Sequence, residues 1–94
     1  MRSVELTIKN PSGLHARPAS LFSAAAAGFA ATVTVENLTR GKGPVDAKST
    51  LLLLTAGVSF GHEVRVVADG SDESAAIDAL VKLVESGLGE AAAP

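Results

Sequence analysis

Val4, Leu6 and Ile8 alternate with Ser3, Glu5, Thr7 and Lys9, and the same period of two returns in residues 31–36 and 63–68. Segments of this kind form strands that bury one face and wet the other. No other feature of the chain narrows its fold as much. A sheet with a wet face must carry all its helices on the opposite side, which predicts a two-layer α+β sandwich. Residues 43–46 read as a further short strand. Pro44 has no N–H to give to a ladder, so that strand belongs at a sheet edge.

Between these segments the spacing changes. Ala19, Phe22, Ala26 and Phe29 recur at helical intervals, which predicts a helix from Ala16 to about Ala27 facing the core, with Gly28 as its stop. Ser49 reads as the N-cap of a short helix from Thr50 to about Thr55, ended near Gly57. Ser71 or Asp72 caps a third helix reaching about Ser86, with Ala76, Ile77, Leu80, Val81 and Val84 as its apolar stripe. Asp72 and Glu73 lie at its positive end. The predicted order is β-α-β-β-α-β-α.

The chain has 94 residues, enough for one domain that buries roughly 60–65% of its unfolded surface. It has no Cys, Trp or Tyr and 3 Phe, so the core must be aliphatic and no disulfide or thiolate site is available. Absence of cysteine agrees with a reducing, cytoplasmic setting. Residues 1–5 contain no apolar signal core, and the aliphatic run 51–54 is too short to span a bilayer. With 8 basic and 10 acidic side chains and no basic block, nucleic-acid binding is not expected. Gly87-Leu88-Gly89 and residues 91–94 are expected to fray, which makes residues 1–88 the folded domain and 89–94 a tail. Met1 and a full set of elements lead us to expect a free-standing, monomeric protein.

The chemistry concentrates in Gly13-Leu14-His15-Ala16-Arg17-Pro18-Ala19-Ser20, where a strand gives way to a helix. His15 falls near the N-cap. Ala16 and Arg17 then begin the helix, and their N–H groups have no intrahelical acceptor. A helix end of this kind attracts anions, and a guanidinium at Arg17 adds a fork suited to phosphate oxygens. Pro18 is tolerated only in a first turn and marks the helix start independently. An imidazole at this place is a nucleophile beside a phosphate cradle. His62, the other histidine, reads as a loop residue before the last strand, and no carboxylate cluster is spaced to complete a metal site.

This unbroken string resembles the active-site signature of the HPr family, the histidine phosphocarriers of the bacterial sugar phosphotransferase system. The resemblance extends from Val4 to about Val84. It implies an HPr-like open-faced sandwich, with an antiparallel sheet in strand order 1-4-2-3 and three helices on one face. It also implies a stoichiometric carrier more than an enzyme, with no cofactor. His15 would accept phosphate at Nδ1 from phosphoenolpyruvate-charged enzyme I and pass it to enzyme IIA proteins during sugar uptake, with Ala16 and Arg17 binding the phosphate. Ala47-Lys48-Ser49 resembles the segment that carries a regulatory serine in many Gram-positive members, which would make a serine kinase a partner at Ser49. Thr50 and Leu52 to Leu54 depart from that segment, and the hairpin after the second strand is longer than usual. By the same resemblance, partners dock on Ala16, Ser20, Ala24 and Ala27 with Thr50, Leu51 and Leu54, and Lys48 lies near the rim. Leu52 or Leu53 then belongs to the core. Three other readings are a nitrogen-related or dihydroxyacetone-kinase relay, a regulatory adaptor and a small-molecule-binding domain.

Overall fold

A computed structural model describes residues 1–90; residues 91–94, the end of the expected tail, lie outside the described residues. The elements are β1 (Arg2–Thr7), α1 (Ala16–Ala27), β2 (Thr32–Asn37), β3 (Lys42–Asp46), α2 (Thr50–Thr55), β4 (Glu63–Asp69) and α3 (Glu73–Glu85). Their order is the expected one. The strands form one antiparallel sheet in the order β1-β4-β2-β3, and β3, which holds Pro44, is an edge. The three helices cover one face.

Pairing explains the alternation. Val4 lies opposite Val66, which lies opposite Val35, which lies opposite Val45, giving an inward row of β-branched side chains. On the wet face Glu5, Arg65 and Glu36 stand in line, and Arg65 bridges both carboxylates at 3.0 and 3.4 Å. Such exposed pairs contribute at most about 1 kcal/mol each. The burial of Val33, Val35, Val64 and Val66 against Phe22, Ala26, Ile77 and Leu80 does far more.

In α2 only Leu53 is fully buried, whereas Leu51, Leu52 and Leu54 are 72%, 42% and 38% exposed. One turn and a half can direct only a narrow stripe inward, and Leu53 occupies it. Ser49 Oγ accepts from Leu52 N–H at 3.2 Å, so the expected N-cap is formed.

Two features differ from the sequence reading. The segment Gly87-Leu88-Gly89 does not fray as a unit: Leu88 is fully buried in the core. Glycines on either side turn the chain sharply after α3 and return Leu88 to it. Asp72 is the N-cap residue of α3, but its side chain does not cap that helix. Its two oxygens instead accept from Ala30 N–H and Ala31 N–H, each at 2.8 Å, fastening the start of α3 to the start of β2. Glu73 accepts from Gly70 N–H and from the N-terminal ammonium group.

These bonds act on the carboxyls. The Ala30 and Ala31 N–H groups hold Asp72 below its usual range, and the N-terminal ammonium, then Gly70 N–H, do the same for Glu73. A carboxyl depressed by folding contributes stability above its unfolded value, about 4, and loses that contribution as pH falls through the folded value. Asp72→Asn should therefore lower the melting temperature at pH 7, with the gap to the parent protein closing below about pH 4. Melting curves across pH test this; a gap that stays constant into acid would contradict it.

Candidate functional site at the start of the first helix

The loop before α1 is held by backbone from the loop between α2 and β4. Ile8 N–H donates to His62 O at 2.9 Å, Gly61 N–H to Ile8 O at 2.7 Å, and Leu14 N–H to Val58 O at 3.0 Å. Gly13 has φ +61°, and a Cβ there would collide with the Val58 carbonyl and lie 2.7 Å from Ser59 Cα. Only glycine permits both the left-handed turn and the close approach. Leu14 is fully buried beneath it. His15 is thereby delivered to the helix end by a loop fastened on both sides of residue 13.

His15 is extended, with φ −123° and ψ 158°, and is the N-cap of α1, yet its side chain makes no capping bond. Among the described residues neither ring nitrogen has a protein hydrogen-bond partner, and the ring is half-buried. Ala16 follows with φ +49°, a left-handed conformation that costs a non-glycine residue about 1 kcal/mol. Leu14 before it and Pro18 and Ala19 after it are buried, and these anchors hold it there. The N–H groups of Ala16 and Arg17 find no acceptor elsewhere among the described residues. Arg17 is exposed, and among the described residues its guanidinium makes no ion pair or hydrogen bond. No acidic side chain lies in the first turn of α1. The helix end is thus a positive surface with one imidazole.

His62 is different. Its Nδ1 accepts from Ser59 N–H at 3.0 Å and lies 3.3 Å from Asn37 Nδ2. Asn37, fully buried at an inward position of β2, also donates to Ala56 O and accepts from Arg40 N–H. His62 thus braces the loop between α2 and β4.

Among the other candidate residues, Ser20, Ala24 and Ala27 are exposed on α1, and Thr50 is half-buried. Ser23 Oγ donates to Lys48 O at 2.9 Å, which ties α1 to the residue before the Ser49 cap. Lys48 itself is not free at a rim: its Nζ donates to Phe29 O at 2.8 Å and closes the end of α1. Leu52, one of the two core candidates, is instead 42% exposed, and Phe60, which had not been singled out, is 56% exposed on the loop that braces Gly13. A lone aromatic beside glycine in a polar loop was the available signal for Phe60. A cleft of about 450 Å³ lies elsewhere, between β1 and the end of α3, and none of its lining residues belongs to this surface.

The two neighbouring left-handed residues should respond in opposite ways. Ala16→Gly should raise stability by up to about 1 kcal/mol, because the strain disappears. Gly13→Ala should lower it by about 1–3 kcal/mol, because strain and a backbone collision are introduced. Denaturant unfolding measures both. A loss at Ala16→Gly of the size usual for a glycine in a helix would mean that residue 16 is not held left-handed.

Comparison with known proteins agrees with this geometry. The family model described as "PTS HPr component phosphorylation site" matches residues 2–86. The crystal structure of HPr-C-His from Thermoanaerobacter tengcongensis superposes with a TM-score of 0.90 and 45% identity, covering 97% of this chain and 99% of that one. A multiphosphoryl transfer protein of Haemophilus influenzae is 43% identical over 84 residues, which are 89% of this chain and 17% of that protein. The phosphoryl donor subunit of the PEP-dependent dihydroxyacetone kinase of Providencia stuartii is 35% identical over 88 residues, 94% of this chain and 18% of that subunit. The chain therefore spans about a fifth of the length of the curated relatives it matches. Its fold, strand order and near full-length family match make it an HPr-type phosphocarrier, a member of the PTS HPr family.

Proposed function

We propose that His15 is the residue that carries the phosphoryl group. The observation behind this is the contrast between the histidines: among the described residues the nitrogens of His15 and the N–H groups beside it have no partner, whereas Nδ1 of His62 is bonded. In transfer, a ring nitrogen of His15 forms a bond to phosphorus as the donor's bond to phosphorus breaks, and the donor atom leaves with the electron pair. The three phosphoryl oxygens then meet the N–H groups of Ala16 and Arg17 and the Arg17 guanidinium. Such transfer depends on positioning and charge, and the folded chain provides both before a partner arrives. The resemblance noted above favours Nδ1.

The partners follow as part of the same proposal: phosphoenolpyruvate-charged enzyme I as donor and enzyme IIA proteins as acceptors, in cytoplasmic sugar uptake. Similarity to the dihydroxyacetone kinase subunit supports a second reading, with the same chemistry and a different relay. Docking is assigned to Ala16, Ser20, Thr50, Leu51 and Leu54. Leu51 and Leu54 are exposed on α2, which packs against α1. Ser49 is proposed as a regulatory site for a serine kinase. Its Oγ already caps α2, so a phosphate there would meet the helix dipole and place charge beside the leucines.

Labelling with phosphoenolpyruvate and enzyme I tests the acceptor. His15→Ala should take no label and keep its melting temperature; a labelled variant would overturn the assignment. Arg17→Ala should transfer about 10²-fold more slowly without loss of stability. Rates with enzyme IIA proteins and with the dihydroxyacetone relay would separate the two readings.

The leucines can be told apart in the same assay. Leu54→Glu should raise the apparent KM for this protein as acceptor with melting nearly unchanged. Leu53→Glu should unfold it, since burying an unpaired carboxylate costs several kcal/mol, on the order of the whole stability. Unfolding of Leu54→Glu with normal docking of the folded fraction would remove Leu54 from the docking surface.

A further inference from the structure

The loop that carries His15 is braced by Val58 and Ser59 on one side; a carboxylate from the end of the chain holds the other. Glu90 Oε1 accepts from Asn10 Nδ2 at 2.9 Å and from Ser12 N–H at 3.0 Å, and Oε2 accepts from Ser12 Oγ at 2.7 Å. Asn10 is only 1% exposed, and its Nδ2 also donates to Gly13 O at 2.8 Å. One side-chain amide therefore connects the Glu90 carboxylate to the peptide two residues before His15. We propose that Glu90 is a positioning residue for His15, latching the outer side of the turn that presents the imidazole.

The route by which Glu90 arrives is built for this. Gly87, Leu88 and Gly89 are all left-handed, with φ +93°, +52° and +79°. Three such residues in a row reverse the chain, and the buried Leu88 fixes the reversal in the core. Gly89 sits so close to α1 that a Cβ would lie 2.7 Å from Leu21 Cδ1. The donors stabilise an anion: Asn10, then the Ser12 hydroxyl and N–H, hold the Glu90 carboxyl below its usual range.

In-line transfer is sensitive to small displacements of the nucleophile, and an error of about 1 Å can cost about 10²-fold. With the carboxylate removed, the loop keeps the bond from Leu14 N–H to Val58 O and those between Asn10 and Gly13, and loses those that hold Asn10 and Ser12 from outside. The His15 ring then samples a wider range of directions, while the exposed faces of α1 and α2 are unchanged.

This inference rests on His15 as the acceptor, and the test separates the two. Glu90→Gln and Ser12→Ala would be made in the full chain and compared in three ways: melting, the steady-state rate of phosphoryl uptake from enzyme I, and the imidazole resonances of both histidines. For Glu90→Gln the maximal rate should fall by about three- to tenfold, with the apparent KM within about twofold. The His15 resonances should shift while those of His62 stay in place. Ser12→Ala should do the same in smaller measure, and it decides the matter if Glu90→Gln does not fold. A folded Glu90→Gln with the parent maximal rate and unmoved His15 resonances would overturn the latch. A parent protein that takes no label at His15 would instead overturn the acceptor assignment, and the resonances would still judge the latch.

Discussion

Leu14 N–H to Val58 O, made where Gly13 presses against Ser59, is the contact on which the rest of this site depends. It joins the loop leaving β1 to the loop entering β4, and those two strands are neighbours in the sheet. The position of His15 is therefore set by strand pairing more than by the helix it begins. The glycine is required twice, for its left-handed φ and for its missing Cβ. The strain at Ala16 follows from the same contact. With Leu14 buried on one side and Pro18 and Ala19 buried on the other, the chain has only three residues, His15 to Arg17, in which to turn into the helix. Backbone energy is thus held at the point where phosphate would bind, as is common at functional sites.

The sheet and its helices were legible because burial acts on every second residue of a strand and on one stripe of a helix. Residues 16–27 and 50–55 begin and end where caps and spacing predict. Strand order was not legible from period, because alternation identifies the buried face and says nothing of neighbours; it came from resemblance. Contacts between side chains far apart in sequence were also hidden. Asp72 has the same residue type whether it caps α3 or reaches Ala30 and Ala31. Lys48 looks like a free cation until Phe29 O is placed beside it. Leu88 between glycines resembles a loose end, and only the fold shows it buried in the core. Glu90 offers no local signal, since its partners Asn10 and Ser12 stand about 80 residues away.

At the site itself, the string from Gly13 to Ser20 indicated the chemistry, and the structure supplied what distinguishes the two histidines. Both lie next to loops, and composition treats them alike. Hydrogen bonding does not: Ser59 N–H occupies Nδ1 of His62, and among the described residues His15 has no such neighbour. The Arg17 guanidinium is equally unengaged among the described residues, whereas Arg65 is divided between Glu5 and Glu36. What supports the proposed anion site is the combination at one helix end of backbone N–H groups without acceptors, an imidazole and a guanidinium, none of them partnered among the described residues.

The most direct measurement of that claim is a nitrogen–phosphorus correlation on protein labelled with ¹⁵N at histidine, recorded before and after charging with phosphoenolpyruvate and enzyme I. Coupling to phosphorus should appear at Nδ1 of His15, with both nitrogens of His62 unchanged. Coupling at His62, or a charged protein with no phosphorus on either histidine, would contradict the account.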